Sequence, residues 1–205
     1  MKNIVFATSN KDKVREIKEM TAGKNVDVYS LKDIGFDEDV EETGTTFTEN
    51  AVIKAKAVAD YILKNKSEYK DTIVLADDSG LEIDYYDKAP GIYSHRWLGE
   101  RTYPQAMQDV IDDMKDVPDE KRTCRFVCSM AAIVLPDEVL TSLETCEGIV
   151  NREIIGENGF GYDPFFYKPE FGCTTAQMTP EQKNEISHRG KALRSILAKL
   201  DDYLK

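Results

Sequence analysis

The sequence feature that most constrains the fold is the stretch of residues 74–84, an apolar run that ends in the adjacent carboxylates Asp77 and Asp78. The apolar half predicts a buried strand, and the alternation of apolar and acidic residues that resumes at Leu81 predicts a half-buried strand. Adjacent carboxylates repel each other, and burying either one is costly without a cation. The junction is therefore either a divalent-metal site built from oxygen ligands or a solvated turn of Asp, Ser and Gly.

Length, charge and cysteine content narrow the class of protein. The 205 residues suit one domain, or one domain with two lobes. A net charge of −11 has the wrong sign for a groove that binds a long nucleic acid. The four cysteines have no CxxC spacing and only two histidines accompany them, so we expect no zinc site. Neither a signal peptide nor an apolar run of membrane length is visible, which favours a cytoplasmic protein with reduced thiols and no membrane partner.

The N-terminal segment predicts an anion-binding turn. Residues 3–8 form an apolar run typical of a buried strand, and a helix capped by Ser9 or Asn10 is expected to follow. A strand, a short polar turn and a helix N-terminus favour a bound phosphate. Lys13 lies in the first turn, where the helix dipole disfavours a cation, so it either pairs with such an anion or is an ordinary surface lysine.

An acidic loop precedes the next predicted helix. Thr46 and Glu49 form a capping box, and apolar residues at helical spacing follow it, with Lys54 off the apolar stripe. Most charges in such segments are solvated. Glu42, immediately before this helix, is nevertheless placed to reach a metal shared with the Asp-Asp pair.

Further regular elements are predicted downstream. Residues 103–115 have the pattern of a helix, residues 123–135 that of a long strand, and residues 139–147 that of its hairpin partner. Residues 148–154 predict one more short strand.

A glycine-flanked aromatic turn spans residues 156–167. Phe160 would project from this backbone and stack on a flat ligand, an interaction of roughly 1–3 kcal/mol per base. Asp163 would accept a hydrogen bond from the base edge. The alternative is a turn between strands with Phe160 in the core.

The C-terminal region predicts two helices. Thr179 is an N-cap, with Pro at the first helical position, and Gly190 is expected to break the helix. Lys183, His188 and Arg189 would then form a cluster of donors around one helix end.

Six segments now carry a resemblance: residues 7–16, 41–51, 76–81, 90–94, 159–164 and 187–190. In this order they resemble the inosine/xanthosine triphosphate pyrophosphatase (ITPase-like) family. Its members hydrolyse non-standard purine nucleotides such as ITP, dITP and XTP to the monophosphate and pyrophosphate, which clears them from the nucleotide pool. Two departures from the family pattern, His95 and Gln177, lie outside the motifs.

The resemblance implies an elongated α/β fold with a central mixed sheet flanked by helices. It implies one ITPase-like domain over residues 1–205, with two lobes and a substrate cleft between them. It also implies a Mg²⁺ cofactor and a homodimer.

The resemblance also assigns roles to residues. Glu42 and Asp78 would bind the metal; Asp78, Asp77 and Lys13 would be catalytic, with Asp78 as the favoured base. The implied substrate-binding residues are Thr8, Ser9, Asn10, Lys11, Asp12, Lys13, Lys54, Ser79, Phe160, Gly161, Tyr162, Asp163, Lys183, His188 and Arg189.

Two other functions remain open from the sequence. A Maf-like general nucleotide pyrophosphatase would not need the Gly-Phe-Gly-Tyr-Asp turn or the His-Arg pair. A non-catalytic nucleotide-binding module would not need the acidic pair. A Walker-type ATPase is excluded because the chain has no glycine-rich GK[ST] loop.

Overall fold

The computed structural model describes residues 2–23, 26–69 and 71–204, and the chain divides into two compact units. Unit 1 contains the chain up to Asp78, Cys128–Glu144, and the chain from Arg189 onward. Unit 2 contains Ser79–Val127 and Thr145–His188. Whether they make up one domain with two lobes stays a prediction. Among the helices of the described residues, none is both long and apolar enough to cross a membrane.

The regular elements alternate between helix and strand along much of the chain. The strands are β1 (Lys2–Phe6), β2 (Val26–Ser30), β3 (Ile73–Ile83), β4 (Pro90–Gly91), β5 (Thr123–Val134), β6 (Glu138–Val150), β7 (Phe166–Lys168) and β8 (Cys173–Thr174). The helices are α1 (Lys11–Thr21), α2 (Leu31–Ile34), α3 (Phe47–Asn65), α4 (Tyr103–Asp113), α5 (Pro180–Ile186), α6 (His188–Lys199) and α7 (Asp201–Leu204).

The strands form a mixed sheet in the order β2-β1-β3-β5-β6-β7-β8, with β4 beside β3. Strand β1 pairs in parallel with β2 and β3, whereas β7 pairs antiparallel with β6 and β8. The expected α/β fold with a central mixed sheet and flanking helices is confirmed.

In unit 1 the sheet is covered by helices on both faces. Alternate residues of a strand point to opposite faces, so Ile73 and Leu75 pack with α1 and α6, while Val74 and Ala76 pack with α3. This explains why the first half of β3 is a continuous apolar run rather than an alternating one. The same alternation decides where the carboxylates that follow must point.

In unit 2, one apolar core lies between α4 and the sheet. Apolar side chains of α4 pack with Leu81 and Ile83 of β3 and with Cys124 and Phe126 of β5. The buried guanidinium of Arg122 donates to the carbonyls of Met114, Val150 and Asn151, which joins the end of α4 to the end of β6. These contacts fix α4 against β3, β5 and β6 in unit 2.

Helix starts follow the sequence closely. Asn10 caps α1, and capping boxes of Thr46 with Glu49 and of Thr179 with Gln182 begin α3 and α5. In each case the side-chain oxygen satisfies an N–H that the helix leaves without a partner. These predicted caps are confirmed.

Three expected boundaries were wrong. Strand β3 continues without a break through Asp77 and Asp78, and β6 runs on to Val150, while residues 152–154 form no strand. The C-terminal helix breaks at Ser187, whose backbone is extended, and Gly190 lies inside α6. At Asp77, Asp78 and Gly190, packing with distant parts of the chain overrides the local preference of Asp and Gly for turns.

Candidate active site

The two adjacent carboxylates lie in the middle of β3 and are both buried, Asp77 at 1% and Asp78 at 7% exposure. Because successive residues of a strand point to opposite faces, Asp77 faces the α1 and α6 side and Asp78 faces the α3 side. The interpretation of this stretch as a solvated turn is therefore wrong. The idea of one ion shared by both carboxylates is also wrong, since they point away from each other.

Asp77 is enclosed by cations. Its Oδ2 lies 2.9 Å from Lys13 Nζ and 3.5 Å from Arg189 Nε. Arg189 in turn lies 2.5 Å from Glu16, measured from Nη1 to Oε2, and both side chains are buried. Burial by itself raises the pKa of Asp77, but Lys13, Arg189 and Lys54 together hold that pKa well below its ordinary value. Asp77 is thus a permanently ionised carboxylate that binds two cations.

Asp78 is in a different electrostatic setting. Lys54 Nζ donates to its Oδ1 at 3.1 Å, and Asn50 Nδ2 donates to its Oδ2 at 3.3 Å. Burial raises the pKa of Asp78, Lys54 opposes the rise, and the nearby carboxylate of Glu42 adds to it, so the net shift is upward. A carboxylate with a raised pKa accepts a proton more readily than an ordinary aspartate.

Glu42 and Asp78 are joined by one ammonium group. Lys54 Nζ lies 2.7 Å from Glu42 Oε1 and 3.1 Å from Asp78 Oδ1. Burial lowers the pKa of Lys54, but the carboxylates of Asp78, Asp77 and Glu42 outweigh it and raise that pKa above the ordinary value. Lys54 is therefore firmly charged and holds both carboxylates.

The donor set at Glu42 and Asp78 fits Mg²⁺. No group of three or more His, Cys, Asp or Glu placed for a metal occurs among the described residues. Mg²⁺ does not need one, because it usually binds through one or two carboxylates together with waters and substrate phosphates. The ammonium of Lys54 already takes the position of a cation between these two carboxylates.

The turn between β1 and α1 is only partly available to an anion. The Asn10 side chain accepts the N–H groups of Asp12 and Lys13 at 2.9 and 3.3 Å, and Thr8 Oγ1 accepts the N–H of Asn10 at 3.2 Å. Ser9, Asn10 and Lys11 are exposed. The expectation that these backbone N–H groups hold a phosphate is corrected at Asp12 and Lys13, whose N–H groups donate to the capping side chain of Asn10 instead. The exposed side chains of this turn and the dipole of α1 are still available to an anion.

In unit 2, the aromatic turn is built around the carboxylate of Asp163. Its Oδ2 accepts the Phe160 N–H at 2.8 Å and Lys183 Nζ at 2.7 Å, and its Oδ1 accepts Thr175 Oγ1 at 2.8 Å. With these partners and 3% exposure, Asp163 organises the turn. Its expected role as an acceptor for the base edge stays a prediction.

The other predicted residues of this turn differ in exposure. Phe160 is half-buried, with Lys183 Nζ 5.0 Å from its ring centroid, so it does not lie wholly in the core. Tyr162 is buried, and its hydroxyl donates to the Ser94 carbonyl at 2.9 Å, so its expected contact with the substrate stays a prediction. Gly161 has a φ of +66°, a conformation that glycine adopts without strain.

The expected donor cluster of Lys183, His188 and Arg189 stays a prediction, and each of the three side chains has a local partner. Lys183 is paired with Asp163, the His188 ring stacks on Phe126 at 4.8 Å, and Arg189 pairs with carboxylates of unit 1. The three therefore serve different local structures. Ser79, which follows the carboxylates in β3, is half-buried.

Sequence reasoning missed two buried polar residues at this site. Glu16 lies three residues after Lys13 in α1, and Asn50 lies four residues before Lys54 in α3. Each spacing places the missed residue on the same helix face as the predicted lysine. Both residues could have been found from the sequence, because each is a polar residue one helical turn from a lysine predicted to be functional.

Known proteins resemble this chain along nearly its whole length. A family model described as the Ham1 family matches residues 4–199. A dITP/XTP pyrophosphatase of Clostridium perfringens is 42% identical over 206 residues and covers 100% of both chains. A dITP/XTP pyrophosphatase of Bacillus subtilis is 43% identical over 197 residues, 96% of each chain.

Solved structures resemble the whole chain as well. The Ham1 protein of Staphylococcus aureus matches with a TM-score of 0.82 at 35% identity, over 98% of this chain and 99% of that one. A HAM1 protein from Coxiella burnetii matches with a TM-score of 0.83 at 36% identity, over 98% and 100%.

Proposed function

Because the chain belongs to the Ham1 family, we propose that it hydrolyses non-standard purine nucleoside triphosphates, namely ITP, dITP and XTP, to the monophosphate and diphosphate. The family membership confirms the resemblance found in the six sequence segments. Relatives named dITP/XTP pyrophosphatases, matched over 100% and 96% of their length, support the substrate class. The same resemblance leads us to propose a homodimer in the cytoplasm.

The observation that carries the proposal is the buried Asp78 carboxylate, with its raised pKa, held between Lys54 and Asn50. Hydrolysis needs a base that takes a proton from water, and a carboxylate that resists ionisation performs this better than an exposed one. Asp77 is a poor base because surrounding cations hold its pKa low. We therefore assign proton transfer to Asp78 and a positioning role to Asp77.

The lysines supply the charge that a triphosphate requires. Lys54 and Lys13 each act to lower the pKa of both Asp77 and Asp78, so the charge of each lysine reaches both carboxylates. We propose that these ammonium groups hold phosphate oxygens, since phosphoryl transfer depends mainly on positioning and charge stabilisation. Glu42 and Asp78 would hold Mg²⁺, which when bound neutralises phosphate charge and lowers the pKa of water.

The base would be recognised at the aromatic turn. Phe160 is half-buried, which leaves ring surface for stacking, and the Lys183 ammonium is a donor suited to a 6-oxo group. Adenine carries an amino donor at that position, which Lys183 would oppose.

Pyrophosphate release from ITP, XTP, GTP and ATP with Mg²⁺ tests the proposed function. We expect ITP and XTP to react, with kcat/KM for ATP lower by about 10⁴-fold, because the 6-amino donor of adenine would face the Lys183 ammonium, which is itself a donor. Equal values for all four nucleotides would contradict the specificity. Absence of pyrophosphate from every one of them, or release of single phosphates instead, would contradict the reaction.

We also expect Lys54→Met to bind Mg²⁺ more tightly without nucleotide, by about tenfold or about 1.4 kcal/mol, although it loses activity. The ammonium and the metal require the same two carboxylates, and removing the ammonium leaves Glu42 and Asp78 to the metal. Calorimetric titration with MgCl₂ measures this directly. Lys56→Met is the matched control, because Lys56 is exposed on the same helix. An unchanged Mg²⁺ affinity in Lys54→Met would show that these carboxylates are not the metal ligands.

A further inference from the structure

We propose that Thr175 is a positioning residue for recognition of the purine base. Its hydroxyl fixes the carboxylate of Asp163, and through it the Lys183 ammonium and the Phe160 turn. The inference rests on the proposed function, since it concerns the part of unit 2 that would bind the base.

The geometry places Thr175 behind the carboxylate. Thr175 is 3% exposed, and its Oγ1 lies 2.8 Å from Asp163 Oδ1 and 3.2 Å from the Asp163 carbonyl oxygen. The other carboxylate oxygen, Oδ2, accepts from Lys183 Nζ and from the Phe160 N–H. One oxygen therefore binds the groups proposed to meet the base, and the other binds the threonine.

The hydroxyl matters because the terminal torsion of an aspartate is soft. Its two oxygens exchange places by rotation about a broad, roughly two-fold torsion. With Oδ1 held by Thr175, Oδ2 stays aligned with two donors at once. Without that bond the carboxylate of Asp163 turns more freely, and Lys183 loses the fixed geometry of a charge-assisted hydrogen bond.

The segment that carries Thr175 is itself held in place. Thr174 and Gln177 form a capping box around it, and Asn158 donates its backbone N–H to the Ala176 carbonyl at 3.0 Å. A Cβ at Gly156 would come within 2.5 Å of the Ala176 backbone, so the two segments are in close contact. Thr175 thus presents its hydroxyl from a rigid support rather than from a mobile loop.

The turn leaves little room for any other carboxylate position. A Cβ added at Gly159 would lie 2.2 Å from Asp163 Oδ2 and 3.0 Å from Lys183 Nζ. Because the backbone passes this close, the orientation of the carboxylate determines where Phe160 and Lys183 are held. Thr175 acts on the base through that orientation and touches no substrate itself.

The test compares Thr175→Val, which keeps the shape and loses the hydroxyl, with Thr175→Ser, which keeps the hydroxyl. We expect Thr175→Val to raise KM for ITP by about tenfold with kcat changed less than about twofold, and to reduce the preference for ITP over ATP. Thr175→Ser should restore both values to within about twofold of the parent chain. Thr21→Val removes another buried threonine hydroxyl, in α1, and should leave KM unchanged.

Two further measurements keep the outcome decisive. If Thr175→Val fails to fold, Thr175→Ala and Thr175→Ser give the same comparison, since both lack the methyl group and only one has the hydroxyl. Calorimetric binding of inosine monophosphate measures base recognition without turnover, so a chain that binds it but hydrolyses no triphosphate would overturn the proposed reaction alone. Equal KM, selectivity and binding with and without the hydroxyl would overturn the role of Thr175.

Discussion

Asp78→Asn is expected to reduce kcat for pyrophosphate release by about 10³-fold or more while the protein stays folded. Loss of a general base alone costs typically 10²- to 10⁴-fold, and the substitution also removes a proposed metal ligand. The amide has the same shape as the carboxylate and keeps one acceptor oxygen for Lys54, while its amino group faces Asn50 Nδ2 and that one hydrogen bond is lost. Initial rates with ITP measure the loss.

A measurement of the unfolding temperature distinguishes the loss of a catalytic base in Asp78→Asn from simple unfolding of the protein. Because burial raises the pKa of Asp78 in the folded protein, this carboxyl group stabilises the fold below the pKa of the unfolded chain, about 3.9, and that contribution is lost as pH rises through the higher folded-state pKa. At neutral pH the charge is therefore held against its preference, and a neutral amide should shift the unfolding temperature only slightly. Asp60→Asn, on an exposed position of α3, is the control. Full activity in folded Asp78→Asn would remove Asp78 from the reaction.

Asp77→Asn, unlike Asp78→Asn, is expected to destabilise the fold, with a loss of about 3–5 kcal/mol of unfolding free energy. The side chain of Asp77 is fully buried between Lys13 and Arg189, and its removal leaves both cations without that negative charge. For a chain of this size the unfolding temperature falls by about 2–4 °C per kcal/mol, hence by about 6–20 °C. Chemical denaturation and thermal melts measure the difference.

The pH dependence of that difference has a defined sign. The pKa of Asp77 is lowered in the folded protein, so its stabilisation is present above the pKa of the unfolded chain, about 3.9, and is lost as pH falls through the lower folded-state pKa. The stability gap between the parent chain and Asp77→Asn should therefore stay constant from about pH 8 to about pH 5. A variant that unfolds within about 1 kcal/mol of the parent would show that the buried pair adds no stability.

Elements that depend on a local sequence pattern were predicted correctly. The predictions failed where residues distant in the sequence determine the conformation. Helix α3 and its capping box follow from spacing within one segment. The continuity of β3 through Asp77 does not, because the cation that balances Asp77 lies 64 residues away in Lys13. Without that partner in view, Asp, Ser and Gly in succession have the composition of a turn.

The same limit applies to the aromatic turn. The sequence correctly marked Asp163 as an acceptor, but it did not reveal that donors from Phe160, Thr175 and Lys183 already occupy both oxygens. Hydrogen-bonding capacity is a property of residue type, whereas its use depends on which segments meet. The sequence therefore indicates which residues can accept a hydrogen bond, but not which of them already have partners within the protein.

Because Lys54 lies between Glu42 and Asp78, folding of this part of the chain is separate from metal binding, although the two are often coupled in metalloproteins. In proteins whose carboxylates or thiolates have no internal counter-charge, metal binding and folding are one process. Here the counter-charge belongs to the chain itself, 2.7 and 3.1 Å from the two carboxylates. We expect the newly made chain to complete this part of its fold whatever the supply of divalent ions, so chelators should stop catalysis without unfolding it.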